Sequence, residues 1–181
     1  MTADTPPRPA RRIALVMIAR DEAARIGRAI ASARPWVDDC LVLDTGSRDE
    51  TAQVARDAGA RVAPFTWVDD FAAARNAALE LAPADWHLVL DADEWLADGG
   101  PALAALREVA PDFVGQVCVE SAQDTADGSA HARSWISRVL PGPVRYAGRV
   151  HEQPQHQLTV RRLPIHIGHD GYLPQALQAK A

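Results

Sequence analysis

The chain has only two cysteines, Cys40 and Cys118, in 181 residues. Two cannot staple a small loop-rich scaffold. Each lies in or beside an apolar run, as a buried free thiol in a reducing compartment would. No apolar run approaches the roughly 18–20 residues that span a bilayer. The longest, Ile13 to Ala19, has seven residues. Although Arg11 and Arg12 precede it, that run is too short for an export signal. Arg20-Asp21-Glu22 follow it, where the small residues of a cleavage site belong. Lysine is nearly missing, with Lys180 alone. The phosphate-cradling loop GxxxxGK(S/T) is absent, and no GxGxxG follows the first strand-like run. Any nucleotide must then be held by metal, arginines and acids rather than by a glycine loop. There is no internal repeat.

Positive charge is also short, since the net charge is −5, but the balance shifts along the chain. Residues 1–37 carry +4, residues 38–98 carry −10, residues 99–130 carry −4 and residues 131–181 carry +5. The acidic middle argues against a general nucleic-acid binder and suits a cation site. The basic last stretch suits a phosphate or another anion.

Of the 48% of residues that are hydrophobic, 35 are alanines, yet enough larger side chains remain for one core. Residues 1–12, with three prolines, read as a tail, and residues 174–181 as another. Between them, 13–173 reads as one domain in two halves, 13–98 and 99–173. In the first half, strands and helices alternate. Ile13 to Ala19 predicts a strand buried on both faces. Ala23, Ile26, Ile30, Ala33 and Val37 predict a helix, broken by Pro35. Cys40 to Leu43 is a second strand, and Ser47 to Glu50 has capping-box spacing for a helix ending at Gly59. Arg61 to Phe65 is a third strand. Residues 70–82 form a helix, with Phe71, Ala74, Ala78 and Leu81 as its buried stripe and Arg75 beside it. Trp86 to Leu90 is a fourth strand. This alternation predicts an α/β fold, an open, mostly parallel sheet with helices on both faces. After residue 100 a short helix near 101–109 precedes strand-like runs at 113–120, 132–140, 143–150 and 157–163, a more mixed half.

Ligands of open parallel sheets bind beyond the carboxyl ends of the strands. Here those ends carry Asp21-Glu22, Asp44, Asp69-Asp70 and Asp91-Ala92-Asp93-Glu94. Clustered carboxylates repel unless a cation neutralises them, and Mg²⁺ or Mn²⁺ with substrate phosphates is the natural partner. Asp91 and Asp93 have the spacing to share one ion; the plainer alternative is an Asp-rich turn. Asp44 is suited to a base N–H or a ribose hydroxyl, and Glu22 reaches the same region. Asp21, Ser47 and Asp49 read as helix caps. Arg75 fits a diphosphate or a carboxylate, and equally an exposed surface position. Four of the six histidines fall between 151 and 169, a mild hint of a ligand or a base.

Taken in order, Ile13 to Arg20 with Asp21-Glu22, LDTGSRDET (43–51), DDFAAARNAAL (69–79), WHLVLDADE (86–94), RYAGRVHEQ (145–153) and HDGY (169–172) resemble the family 2 glycosyltransferases of GT-A fold. The series is similar to the bacterial branch of lipopolysaccharide-core β-glucosyltransferases and tetratricopeptide-fused members. The usual NE or DE pair reads Asp21-Glu22, and the chain stops soon after HDGY. The resemblance implies cytoplasmic transfer of a sugar, with inversion, from a nucleotide-sugar donor. A UDP-sugar comes first among donors, the acceptor is a glycan, a lipid-linked substrate or a protein, and peripheral attachment of the chain to a membrane fits such acceptors. It implies donor contacts from Glu22, Asp44, Arg75, Asp91 and Arg149. It also implies Mn²⁺ or Mg²⁺ held by Asp91, Asp93 and His169, and Glu152 as the general base. Arg138 is a further cation for the leaving group, and Asp124 or Asp127 are alternative bases. Two other readings remain: a silent nucleotide-sugar-binding domain, and an aspartate-dependent phosphohydrolase.

Overall fold

The computed structural model describes residues 10–125 and 128–170. Asp127, Gly171, Tyr172 and the 174–181 stretch lie outside them, as do residues 1–9 of the N-terminal stretch. Residues 11 and 12 are already tied down: Arg11 N donates to Arg107 O, Arg12 N donates to the Asp85 carboxylate, and Arg12 O accepts from Asp85 N and Trp86 N.

The first half follows the alternation in the sequence. β1 (Ile13–Ala19) pairs in parallel with β2 (Asp39–Asp44) and with β4 (Trp86–Val89), and β2 pairs in parallel with β3 (Arg61–Pro64). The crossovers are α1 (Ala23–Ala33), α2 (Thr51–Asp57) and α3 (Phe71–Leu81). Side chains of β1 alternate between two faces, so one strand serves two apolar layers. Ile13, Leu15 and Met17 join Ile26 and Ile30 of α1 and Ala55 of α2. Ala14 and Val16 join Ala74, Ala78 and Leu79 of α3. Pro35 ends α1 by forcing a short 3-10 turn, Arg34–Trp36.

The second half comprises β5 (Glu94–Asp98), α4 (Gly100–Ala105), β6 (Phe113–Thr125), β7 (Gly128–Pro141), β8 (Arg145–Ala147), β9 (Gln153–Gln155) and β10 (Thr159–His169). β7 adds antiparallel to β4 and extends the first sheet, giving the order β3-β2-β1-β4-β7-β6-β10-β5. β6 and β10 are parallel, while β10 and β5 are antiparallel. β8 and β9 form a separate antiparallel ribbon. The whole is the mixed, largely parallel α/β sheet, with helices on both faces, that the alternation predicts. Among the described residues, no helix is long and apolar enough to cross a membrane.

Several local expectations need correction. α2 starts at Thr51, not at the Ser47 cap: the Ser47 hydroxyl instead accepts from Asp21 N at 3.0 Å. Asp49 caps across elements, accepting from Thr51 N and from Ala23 N at the start of α1. Asp21 does not cap α1; its carboxylate accepts from Arg48 N. The buried stripe of α3 contains Ala72, Ala74, Arg75, Ala78 and Leu79, whereas Phe71 and Leu81 are exposed. β5 and β9 are too short to leave a periodic signal.

Candidate functional site

The carboxyl ends of β1 and β4, the start of α3, the 150–152 loop and the end of β10 enclose a cleft of about 480 Å³. Its walls carry Glu22, Arg75, Asp91, Asp93, Glu152 and His169. A second hollow of about 270 Å³ shares Ile18, Ala19, Arg20 and Phe71 with it and adds Thr45 and Trp67. Trp67 and Phe71 meet edge to face at 4.8 Å, so this hollow offers a flat, mostly apolar slot.

The loops around the cleft hold unusual backbone. Asp21, Asp69 and His151 have positive φ of 53–57° without being glycine. Aspartate and histidine tolerate that region better than most residues, and such conformations gather at functional sites. Asp70 starts α3 by accepting from Ala73 N. Phe71 N donates to Arg149 O, fastening the 149–152 segment to the head of α3.

Arg75 is the hub. It is 7% exposed, and a buried guanidinium needs paired carboxylates. Its Nη2 donates to Asp91 Oδ1 at 2.6 Å and its Nε to Glu152 Oε1 at 2.6 Å. Arg138 of β7, 9% exposed, donates from Nη2 to Asp91 Oδ2 at 2.8 Å and to Glu94. Burial would raise the Asp91 pKa, but Arg138 and Arg75 outweigh it and hold the carboxylate well below its usual range. Burial dominates at Glu94 and raises its pKa despite Arg138. Glu94 also accepts from Asp91 N, which closes the 91–94 turn.

Asp93 faces a different set of partners. Its Oδ2 lies 3.6 Å from His169 Nε2 and 3.8 Å from Arg25 Nη1, which is itself 3.2 Å from Glu22 Oε2. His169 Nδ1 is 3.0 Å from the Ser121 hydroxyl. The His169 pKa is raised, chiefly by its hydrogen bond with Asp93. Asp170 N donates to Asp93 O, so the end of β10 is laced to the 91–94 turn.

The cluster thus brings together Glu22, Arg75, Asp91, Asp93, Glu152 and His169. Within it the two aspartates of DAD divide, Asp91 to two arginines and Asp93 to His169 and Arg25. Asp44 stands at the end of β2, where Oδ1 accepts from Gly46 N and Ser47 N. Arg149 is not among the residues that line the cleft; its Nε donates to Asp69 O at 3.3 Å. Arg25 and Trp67 escape the sequence reading, which assigns Phe71 to the buried stripe of a helix rather than to a pocket wall. A lone helical arginine and a loop tryptophan carry no spacing signal.

Among the described residues, no three His, Cys, Asp or Glu side chains converge as a ready-made metal site. Asp93 and His169 nevertheless fit a bridging ion. Ligand distances of about 2.1 Å on each side span their 3.6 Å separation. An ion such as Mg²⁺ commonly takes one or two protein groups and completes its shell with water and substrate phosphate.

The model of the family described as "Glycosyl transferase family 2" matches residues 14–166. A TPR repeat-containing protein of Synechococcus elongatus is 54% identical over 84 residues, 46% of this chain and 21% of that protein. The glycosyltransferase SunS of Bacillus subtilis, of prophage origin, is 27% identical over 173 residues, 91% of this chain and 41% of that protein. Glucosyl-3-phosphoglycerate synthase of Mycobacterium tuberculosis has a crystal structure with Mn²⁺, UDP-glucose and phosphoglyceric acid. It superposes with a TM-score of 0.51 at 24% identity, over 65% of this chain and 46% of that one, a likeness of fold. The chain spans between 21% and 41% of the length of these curated relatives.

Proposed function

The chain belongs to glycosyl transferase family 2, and from that premise we propose that it moves a sugar, with inversion, from a nucleotide-sugar donor to an acceptor hydroxyl. The observation that carries this reading is the pairing of Asp93 with His169 in a cleft that runs into the Trp67–Phe71 slot. The slot takes the nucleobase, with Asp44 at its edge and a UDP-sugar as the first donor to try. The diphosphate lies toward Asp93, within reach of Glu22, and Arg149 closes the loop behind it. Mn²⁺ or Mg²⁺, held by Asp93 and His169, would neutralise charge on the leaving diphosphate. Asp91 acts as the anchor that aims Arg75.

Glu152 is the base. Arg75 Nε grips one of its oxygens, which fixes the orientation of the carboxylate. The acceptor oxygen bonds to the anomeric carbon, the bond from that carbon to the diphosphate breaks, and the hydroxyl proton passes to Glu152. The electron pair leaves with the nucleoside diphosphate, whose charge the buried arginines offset. Asp91, clamped by two guanidinium groups, is poorly suited to be the nucleophile of a phosphohydrolase. Buried, unpaired Cys40 and Cys118 suit a reducing cytoplasm. The acceptor is a glycan, a lipid-linked substrate or a protein.

A thermal-shift screen of UDP-, GDP-, dTDP- and ADP-sugars, with and without Mn²⁺, tests the reading. Ligand that binds the folded form raises the midpoint. One donor should do so with Mn²⁺, and Asp93→Ala should remove the metal-dependent part. No shift with any donor refutes the proposal. A shift without turnover of the donor points to a silent nucleotide-sugar-binding domain.

A further inference from the structure

Arg25 occupies an awkward position for a cation. It is the third residue of α1, in a first turn that holds no acidic residue. The helix dipole there disfavours positive charge, although Glu22 at the N-cap and Asp49, which accepts from Ala23 N, offset part of it. The Arg25 side chain is only 13% exposed, as is that of Glu22, and Asp93 is 12% exposed. What offsets these costs is the carboxylate pair, since one nitrogen, Nη1, lies between Glu22 Oε2 and Asp93 Oδ2. The same Asp93 oxygen faces His169 Nε2. The Asp93 oxygen that faces His169 is thus also the one that Arg25 approaches, at 3.8 Å. Asp91 is less available to an ion, because Arg75 and Arg138 each already hold one of its oxygens.

We propose that Arg25 is the resident counter-cation of this carboxylate pair. It yields Asp93 to the metal only when a nucleotide diphosphate arrives to take its charge, so metal and nucleotide bind together. This rests on the reading of Asp93 and His169 as metal ligands. An ion entering alone meets a guanidinium a few ångströms away in a half-buried site, where charges interact strongly. An ion entering with a diphosphate brings the compensating negative charge with it. The two ligands are then coupled, each tightening the other by the same factor.

Calorimetric titration of the full chain with MnCl₂, in the presence and absence of UDP, tests this. In the wild type, UDP should tighten Mn²⁺ binding roughly tenfold or more. Arg25→Gln should bind Mn²⁺ alone about tenfold tighter than wild type and lose most of the gain from UDP. Arg25→Lys, which keeps the charge, should stay close to wild type. Equal Mn²⁺ affinity with and without UDP in the wild type overturns the proposal. So does Arg25→Gln binding Mn²⁺ no more tightly than wild type, in which case Arg25 is only a brace. Adding Asp93→Asn to Arg25→Gln separates the two readings. If tight Mn²⁺ binding survives, the ion sits elsewhere, and it is the assignment of Asp93 that fails.

Discussion

The side chains at the cleft owe their properties to partners far away in sequence. Arg75 and Glu152 are 77 residues apart, and Arg138 and Asp91 are 47. The strand-end rule singled out Asp91, Asp93, Asp44 and Glu22, because it needs only the local pattern of an apolar run followed by acids. It could not tell that Arg75 is buried, since burial of a guanidinium depends on Asp91 and Glu152 arriving from elsewhere. Glu152 and His169 entered through family resemblance, as no spacing marks them. Replacing Glu152 by Gln keeps the shape and the acceptor for Arg75 Nε but removes the base. Donor binding measured by calorimetry should be unchanged while transfer falls on the order of 10²–10⁴-fold; full turnover would move the base elsewhere. The acids around Arg138 also predict a pH profile. Asp91 has a lowered pKa, so its contribution to stability is present above the ordinary value of 3.8 and is lost as pH falls below it. Glu94 has a raised pKa, so its contribution declines as pH rises above 4.5. Urea denaturation across pH 3–7 should show both limbs. Asp91→Asn should flatten the acid limb and Glu94→Gln the other.

Helices and strands aim these groups through a few close contacts. Gly168 on β10 lies opposite Trp95 on β5, and a Cβ there would come within 2.2 Å of the indole. Arg28 of α1 stacks on the same indole at 3.8 Å and pairs with Asp170. α1, β5 and β10 are thus locked together beside His169. Gly168→Ala should push the indole outward and loosen that lock. We expect a loss of about 1–3 kcal/mol in urea denaturation, as for overpacking, together with weaker Mn²⁺ binding measured with UDP present. An unchanged Mn²⁺ affinity would mean that His169 is positioned without help from Trp95. At this scale the strands of the first half were legible in the sequence, and so was α1, because apolar runs and periodicity report them directly; the run read at 157–163 stops short of the end of β10 at His169, and the run read at 143–150 holds only the three residues of β8. The start of α2 was not legible. Ser47 and Asp49 have the composition of a helix cap, but their oxygens serve Asp21 and Ala23 in the neighbouring loop.

Across the molecule, the acidic first half and the basic last third form one body. One apolar layer holds Ile13 and Leu15 of β1, Trp86 and Leu88 of β4, Phe113 and Val117 of β6, and Ile165 and Ile167 of β10. The 13–98 and 99–170 segments share that layer, so scanning calorimetry should give a single cooperative transition. Two resolved transitions would mean that the halves fold separately. The parallel arrangement of the first four strands was legible from their alternation with helices. The insertion of β7 between β4 and β6 was not, because it depends on long-range pairing that local pattern does not encode. Among the described residues, the basic side chains lining the cleft are arginines and histidines, with no lysine. Coupling chemistry aimed at primary amines, such as attachment to a succinimide-activated resin or a fluorescent ester, therefore has no side-chain target among the described residues that line the cleft. Phenylglyoxal, which attacks guanidino groups, does, and pre-incubation with donor should shield it.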